Sequence, residues 1–232
     1  MRREVKVFST KQETAEALVD QLERLVRTAD ALVHIALSGG ETPALLFDVL
    51  AAKEEFPWQK VHFWWGDERC VLPNDEQSNY RLAKERLLDK IEVSASNVHR
   101  IKGELDPQAA CEAYEQELKL YFNSELPMFD LILLGLGEDG HTASIFPHEL
   151  HLFHEDALCV VATHPTSGQH RVSFSGKLIN AAQKVAFLAI GANKAMRVAE
   201  LLSSKEYLQM PAWYVHPKRR LMFYLDAAAM GN

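Results

Sequence analysis

Cysteine is scarce in this sequence, and its scarcity narrows the classes of protein that the chain can represent. The 232 residues include three cysteines, Cys70, Cys111 and Cys159, which are widely spaced and form no Cys-x-x-Cys pair. This spacing argues against a disulfide framework and against a zinc site built on thiolates, and it fits a reducing cytoplasm. We therefore expect no thiolate-bound metal and predict a cytoplasmic protein.

Long apolar runs and an excess of positive charge are also missing. No segment approaches the roughly 18 apolar residues that a membrane-spanning helix requires, and no apolar stretch follows Met1-Arg2-Arg3-Glu4, so we expect no signal peptide. The formal net charge of -7 at pH 7 argues against nucleic acid or an anionic membrane as the main partner. A few local cations could still hold a small anionic substrate. The expectation is a soluble protein, whose oligomeric state the sequence leaves open.

Apolar residues make up 47% of the chain, enough for one substantial core, and we predict a single domain over residues 1–232. Apolar runs alternate with helical patterns, which predicts an α/β fold with a twisted, mostly parallel sheet and helices on both faces. The predicted strands are 5–8, 31–37, 61–65, 98–101, 131–134, 158–162, 170–173, 185–190, 213–215 and 221–225. The predicted helices are 11–27, 44–50, 80–88, 107–122 and a short one ending at 179–182.

The turn after the predicted strand 131–134 concentrates chemically active side chains. Its glycines, Gly137 among them, allow the backbone to approach a ligand closely, and Asp139 and His141 accompany them. Because open α/β sheets bind ligands beyond the carboxyl ends of their strands, we expect the chemistry at this turn. A histidine that merely caps the turn is the structural alternative.

The same glycines also spell Gly-x-Gly-x-x-Gly over residues 135–140, a pattern typical of dinucleotide-binding loops. Such a loop runs into a long helix, but Pro147 follows after six residues. Glu138 and Asp139 would also stand beside a pyrophosphate with no nearby base to offset them. We therefore expect no dinucleotide and no other cofactor.

A second strand end, at Ser38-Gly39-Gly40-Glu41-Thr42, is followed by the predicted helix 44–50. Free backbone N–H groups and the positive end of the helix dipole would both face a ligand there, an arrangement that favours anions. Ser38, Gly39, Gly40 and Thr42 are therefore candidate phosphate-binding residues. An ordinary strand-to-helix turn that uses glycine for its geometry is the alternative.

Further charged residues follow other predicted strands. Asp67, Glu68 and Arg69 come directly after strand 61–65 and form either part of the site or a solvated ion-pair cluster. Arg171 supplies another cation. Lys194 lies in the predicted first turn of a helix, where the dipole disfavours a cation. An anionic ligand between the lysine and the helix end would explain this position, and a long side chain in water is the alternative. Together these groups are suited to general acid–base chemistry on a small phosphorylated substrate.

His148, His151 and His154 fall three residues apart and raise the question of a metal site. The segment is not His-Glu-x-x-His and includes no cysteine. We interpret it as a mobile, polar connection rather than a set of metal ligands.

Four sequence blocks lie in the order in which they occur in one known family. They are Ser38-Gly39-Gly40-x-Thr42-Pro43; Asp67-Glu68-Arg69-x-Val71 with Ser78-Asn79; Leu134-Gly135-x-Gly137-x-Asp139-Gly140-His141-Thr142-Ala143-Ser144-x-Phe146-Pro147; and Asn180-Ala181-Ala182 followed by an apolar strand and Gly191-x-x-Lys194. With these blocks the chain resembles the 6-phosphogluconolactonase family. The third block is specific, whereas Ser-Gly-Gly is shared with related sugar-phosphate isomerases.

The resemblance implies a modified doubly wound, Rossmann-like sheet and an enzyme of the oxidative pentose phosphate pathway that hydrolyses 6-phospho-D-glucono-1,5-lactone without a cofactor. Glucosamine-6-phosphate deaminase is the alternative family with similar motifs. That family has Asp-Glu-Tyr at the positions of 67–69 and Gly-His-Ile-Ala-Phe-Asn-Glu-Pro at those of 140–147, and both differences favour the lactonase. A non-catalytic sugar-phosphate binding module is an alternative of another class. The chain departs from the lactonase pattern at Glu41, which leaves open which backbone groups bind phosphate.

The resemblance to the lactonases implies a role for each candidate site residue. His141 would accept a proton from the attacking water, with Asp139 orienting the ring or the water, and Arg69 would stabilise the oxyanion. Asp67 and Gly137 would contact the substrate, and whether Asp67 or Glu68 acts directly is open. The residues expected to hold the phosphate are Ser38, Gly39, Gly40, Thr42, Arg171 and Lys194.

Overall fold

The computed structural model describes residues 2–203 and 205–231. Its strands are β1 (Arg2–Phe8), β2 (Val33–Leu37), β3 (Val61–Trp65), β4 (Asp67–Arg69), β5 (Val98–His99), β6 (Leu131–Leu134), β7 (Cys159–Thr163), β8 (His170–Phe174), β9 (Lys184–Ala189) and β10 (Arg220–Asp226). Its α-helices are α1 (Lys11–Arg27), α2 (Glu41–Ala51), α3 (Asn79–Arg86), α4 (Pro107–Phe122), α5 (Gly176–Ala181) and α6 (Ala195–Leu202).

Seven of these strands form the main sheet, in the order β1-β10-β9-β6-β2-β3-β5, and every neighbouring pair is parallel. All four residues of β6 are buried, as the uninterrupted apolar run at 131–134 predicts for a central parallel strand. The mostly parallel α/β fold expected from the sequence is confirmed.

Helix boundaries follow from the local sequence. Thr10 caps α1 by accepting a hydrogen bond from the Glu13 N–H, and the apolar stripe of α1 is buried against the sheet. Asp106 caps α4, which has Pro107 in its first turn, and Ser78 caps α3. Within the described ranges, no helix is both long and apolar enough to cross a bilayer.

A second, antiparallel sheet in the order β4-β8-β7 was not predicted from the sequence. Residues 67–69 form a strand of their own that pairs with β8, whereas the sequence predicted only a charged cluster after the end of β3. The expected strand at 213–215 is also wrong, since Pro211–Tyr214 is a 3-10 helix. Pro147–His154 is likewise a 3-10 helix with a kink at Glu149, where a mobile connection was expected.

Candidate active site

A cleft of about 700 Å³ opens at the carboxyl ends of β2, β6 and β9 and is bounded on one side by the small antiparallel sheet. Every site residue predicted from the sequence lines this cleft, which brings together segments that are far apart in the chain. These residues are Ser38, Gly39, Gly40, Thr42, Asp67, Arg69, Gly137, Asp139, His141, Arg171 and Lys194.

His141 and Asp139 form a hydrogen-bonded pair within one turn. The ring Nδ1 of His141 lies 2.6 Å from Asp139 Oδ1, which also accepts the His141 backbone N–H at 3.0 Å. Burial would raise the pKa of Asp139, but the hydrogen bonds from His141 outweigh burial and lower this pKa to about 2. The carboxylate therefore stays ionised at neutral pH and holds the proton of a neutral imidazole on Nδ1, which leaves Nε2 as the basic nitrogen.

Glycine at position 137 is what allows the imidazole to lie where it does. A Cβ on Gly137 would come within 2.1 Å of His141 Nδ1, and real Cβ atoms do not approach so closely. The turn is closed by hydrogen bonds from the Gly137 N–H to His141 O at 2.9 Å and from the Gly140 N–H to Gly137 O at 3.0 Å. Any side chain at 137 would therefore displace the ring from Asp139.

The anion cradle predicted after β2 has the expected order of strand, glycines and helix N-terminus. α2 begins at Glu41, so the backbone N–H groups of Glu41 and Thr42 belong to its first turn, and both residues line the cleft. A Cβ on Gly39 would lie 1.8 Å from Asn79 Oδ1. Asn79 is fixed by donating to Asp67 O at 3.0 Å. Glycine at position 39 is therefore required for the turn after β2 to pack against the start of α3.

Arg69 and Arg171 are cross-strand partners in the antiparallel pair of β4 and β8. Their side chains share the cleft, and the Nε atom of each is buried without a hydrogen-bond partner among the described residues. Burial and the charge of Arg69 lower the pKa of Arg171. Two guanidiniums in one cleft form a site that favours an anion with several acceptor oxygens.

Asp67 and Glu68 are both buried, but they have different environments. Asp67 lines the cleft and accepts a 2.6 Å hydrogen bond from the Ser144 hydroxyl. Glu68 points to the start of α3, where its oxygens accept the Ser78 hydroxyl at 2.9 Å and the backbone N–H groups of residues 79 and 80 at 2.7 and 2.8 Å. Burial raises the pKa of Glu68 against these hydrogen bonds. Of the two acids, Asp67 is therefore the one in reach of a ligand.

Lys194 ends the short 3-10 helix Ala192–Lys194 and precedes α6, one residue before the helix in which it was expected. The neighbouring Asn193 donates to Glu138 Oε1 at 2.7 Å, and Arg197 Nε donates to Glu138 O at 2.7 Å. These bonds attach the start of α6 to the turn that carries His141, so Lys194 and His141 face the same cleft.

Several lining residues were not predicted as site residues from the sequence. Phe146 forms part of the wall, with its ring centroid 4.7 Å from that of His141 and 5.5 Å from the guanidinium carbon of Arg171. His164 and Thr166 reach the cleft from the loop between β7 and β8. The sequence signal for this loop was weak, because it follows a strand of the unpredicted antiparallel sheet.

A second imidazole–carboxylate pair lies outside the cleft, beneath α4. His99 Nδ1 is 2.8 Å from Glu117 Oε1, and His99 Nε2 is 3.0 Å from His62 Nδ1. The His99 ring stacks on Trp64 with centroids 3.8 Å apart. We call His34, His62, His99, Trp64, Glu117 and Tyr121 the histidine cluster.

His34 and His62 are register partners near the amino ends of β2 and β3, away from the cleft. Burial, followed by the charges of His62 and His99, lowers the pKa of His34 to about 4. Burial also lowers the pKa of His62. Both rings are therefore neutral at pH 7.

Comparison with known proteins agrees with this architecture. Residues 9–224 match the model of the family described as glucosamine-6-phosphate isomerases/6-phosphogluconolactonase. The 6-phosphogluconolactonase of Haemophilus influenzae is 41% identical over 225 residues, covering 94% of this chain and 96% of that protein. The one from Treponema pallidum is 41% identical over 218 residues, covering 92% and 90%.

Among solved structures, the 6-phosphogluconolactonase of Thermotoga maritima superimposes with a TM-score of 0.85 at 29% identity, covering 97% of this chain and 100% of that chain. The match thus extends over nearly the whole of both chains, in sequence and in fold. The chain belongs to the glucosamine-6-phosphate isomerase/6-phosphogluconolactonase family.

Proposed function

We propose that this protein hydrolyses 6-phospho-D-glucono-1,5-lactone to 6-phospho-D-gluconate, in the oxidative pentose phosphate pathway. The observation that carries the proposal is the 2.6 Å contact between His141 Nδ1 and Asp139 in a cleft that also holds Arg69, Arg171 and Lys194. The contact supports a base with a defined tautomer, and the cations support a phosphorylated substrate. The names of the relatives support the same reaction.

His141 acts as the general base in the proposed mechanism. Its Nε2 takes a proton from a water molecule while the water oxygen forms a bond to C1 of the lactone, and negative charge develops on the carbonyl oxygen. Arg69 donates to that oxyanion. When the bond between C1 and the ring oxygen breaks, the imidazolium returns its proton to the leaving oxygen. One water is consumed, and the product is an open-chain acid.

The phosphate would be held by the backbone at Ser38, Gly39, Gly40 and Thr42 together with Arg171 and Lys194. Holding the phosphate fixes the position of C1, and such positioning lowers the entropic part of the barrier. Asp67 and Gly137 are proposed to contact the sugar. The scarce cysteines, all unpaired among the described residues, support a cytoplasmic location as part of the proposal.

The test is hydrolysis of freshly generated 6-phosphoglucono-δ-lactone, measured against the spontaneous opening of the lactone. The His141→Ala variant is expected to lose about 100-fold or more of the enzymatic rate, because general base catalysis typically contributes that much. His151→Ala, a change at an exposed histidine outside the cleft, is the matched control.

Near-normal turnover by the His141→Ala variant would contradict the base assignment. If the wild type gave no acceleration, the lactonase proposal would fail, and turnover of glucosamine 6-phosphate would be assayed next. A non-catalytic binding module would instead be stabilised by 6-phosphogluconate in a thermal shift experiment while remaining inert towards both substrates.

A further inference from the structure

His164, on the loop between β7 and β8, lines the cleft without a role in the mechanism above. Its ring Nδ1 accepts hydrogen bonds from the backbone N–H of Ser167 at 3.2 Å and of Thr166 at 3.4 Å, and the Ser167 hydroxyl is 3.1 Å away. Because two N–H groups point at Nδ1, this nitrogen is unprotonated. The hydrogen of the neutral ring is therefore on Nε2.

The surroundings of His164 keep its ring neutral and close to the cations. Its ring packs edge-on against Phe146 with centroids 5.3 Å apart, and the same Phe146 ring contacts the Arg171 guanidinium. Burial, then the positive charge of Arg171, lowers the pKa of His164. Within residues 2–203 and 205–231, Nε2 has no hydrogen-bond partner. The ring thus presents an unused N–H donor beside an unused guanidinium.

We propose that His164 is a substrate-binding residue that donates its Nε2–H to the phosphate of the sugar phosphate held by Arg171. An imidazole N–H and a guanidinium are both donors, so they cannot bind each other and can share only a group with several acceptor oxygens. The inference rests on the proposed function, because it takes the phosphate to lie at Arg171.

Two amide variants separate this role from a purely structural one. His164→Asn retains an acceptor near the position of Nδ1 for the loop N–H groups but removes the distal donor. His164→Gln retains a donor near the position of Nε2 but removes the proximal acceptor. The measurement is the Kd of 6-phosphogluconate by isothermal titration calorimetry at pH 7.5, with His151→Asn as the control outside the cleft.

We expect His164→Asn to raise the Kd about tenfold, the effect of losing one hydrogen bond to a charged group. His164→Gln should stay within about threefold of the wild type. The opposite order, with normal binding in the Asn variant and weak binding in the Gln variant, would mean that the ring only supports the loop, and it would overturn the proposal.

Steady-state kinetics give a second readout. His164→Asn should raise KM for the lactone by a similar factor and change kcat less than about twofold, because the phosphate contact is present in ground state and transition state alike. A fall in kcat with unchanged Kd would overturn the assignment to the phosphate.

The failure of this inference can be distinguished from that of the proposed function. Equal Kd values for the wild type and both variants would overturn the role of His164 while lactone turnover remained. If the three Kd values followed the expected order but the wild type did not hydrolyse the lactone, the role of His164 would be supported and the lactonase proposal would be contradicted. A wild type that bound no 6-phosphogluconate would overturn both.

Discussion

His141 and His99 each present Nδ1 to a carboxylate, at 2.6 Å from Asp139 and 2.8 Å from Glu117, but they differ in what surrounds the rest of the ring. The Nε2 of His99 is 3.0 Å from His62, and its ring is stacked on Trp64. The Nε2 of His141 has no hydrogen-bond partner among the described residues, and the ring borders a cleft with three cations.

An imidazole–carboxylate pair does not by itself define a base. In the histidine cluster both ring nitrogens are used, so the pair stabilises the packing of α4 on the sheet. In the cleft one nitrogen remains available, and the nearby cations favour an anionic substrate. The consequences below test this distinction.

The largest expected effect is a loss of kcat when the Asp139 carboxylate is removed, and removal of the Glu117 carboxylate is its control. Asp139→Asn should lower kcat for lactone hydrolysis about 100-fold, since the amide no longer fixes the tautomer in which Nε2 is basic. Glu117→Gln, the same chemical change in the histidine cluster, should leave kcat within about twofold. Initial rates at saturating lactone measure both.

Equal kcat losses in the two variants would contradict the different roles of Asp139 and Glu117, because they would show that the change acts through the fold. Circular dichroism and the midpoint of urea unfolding for each variant provide the control.

Acidification should lower the free energy of unfolding through the histidine cluster. Below the ordinary pKa of 6.5, His34 is protonated in the unfolded chain but stays neutral in the folded protein down to about pH 4. The unfolded state then binds more protons, so the free energy of unfolding falls as the pH falls. Between pH 7.5 and pH 5 this loss is about 2 kcal/mol from His34.

Urea unfolding at these two pH values measures the loss. In the His34→Asn variant the difference between pH 7.5 and pH 5 should shrink by about this 2 kcal/mol, whereas His151→Asn should leave it unchanged. An identical pH dependence in all three proteins would show that His34 titrates normally in the folded state.

A third prediction concerns the binding of the substrate phosphate by Arg171 in the cleft. Arg171→Met should raise KM for the phosphorylated lactone about 30-fold, since a hydrogen bond to a charged group is worth roughly 2 kcal/mol. The methionine retains apolar contact with Phe146. Arg81→Met, at an exposed ion pair with Glu85, is the control and should leave KM unchanged. A KM unaffected by Arg171→Met would place the phosphate elsewhere.

The smallest effect is expected at Tyr121, whose hydroxyl lies 2.9 Å from His62 Nδ1. Tyr121→Phe should lower the free energy of unfolding by about 1 kcal/mol, the net value of one hydrogen bond. Because the histidine cluster lies away from the cleft, kcat and KM should not change. A kinetic effect of this variant would reveal coupling between the two regions.

The cleft was predictable from the sequence where it is built on the main parallel sheet. The carboxyl ends of parallel strands share one edge, so placing His141 after β6 and Lys194 after β9 required only the recognition of two apolar runs. The roles of these residues stay predictions, which the experiments above address.

The contribution of the antiparallel sheet could not be predicted in the same way. β4 has three residues, too few for a period, and the register that sets Arg69 opposite Arg171 joins strands far apart in sequence. The separation of Asp67 from Glu68 depends on α3, whose start Glu68 binds. The spacing of Asp139 and His141 likewise left their pairing undecided, because a two-residue interval brings side chains together only in a particular turn.

The hydrogen bond between Ser144 and Asp67 joins the two sheets, since one residue follows the His141 turn and the other begins β4. Replacing either partner alone would therefore leave a buried polar group of the other without its hydrogen bond. A graft of the His141 turn onto another doubly wound scaffold would leave Ser144 without its acceptor, and the antiparallel sheet would have to be transferred with it. The transferable unit of this candidate site is therefore the pair of sheets.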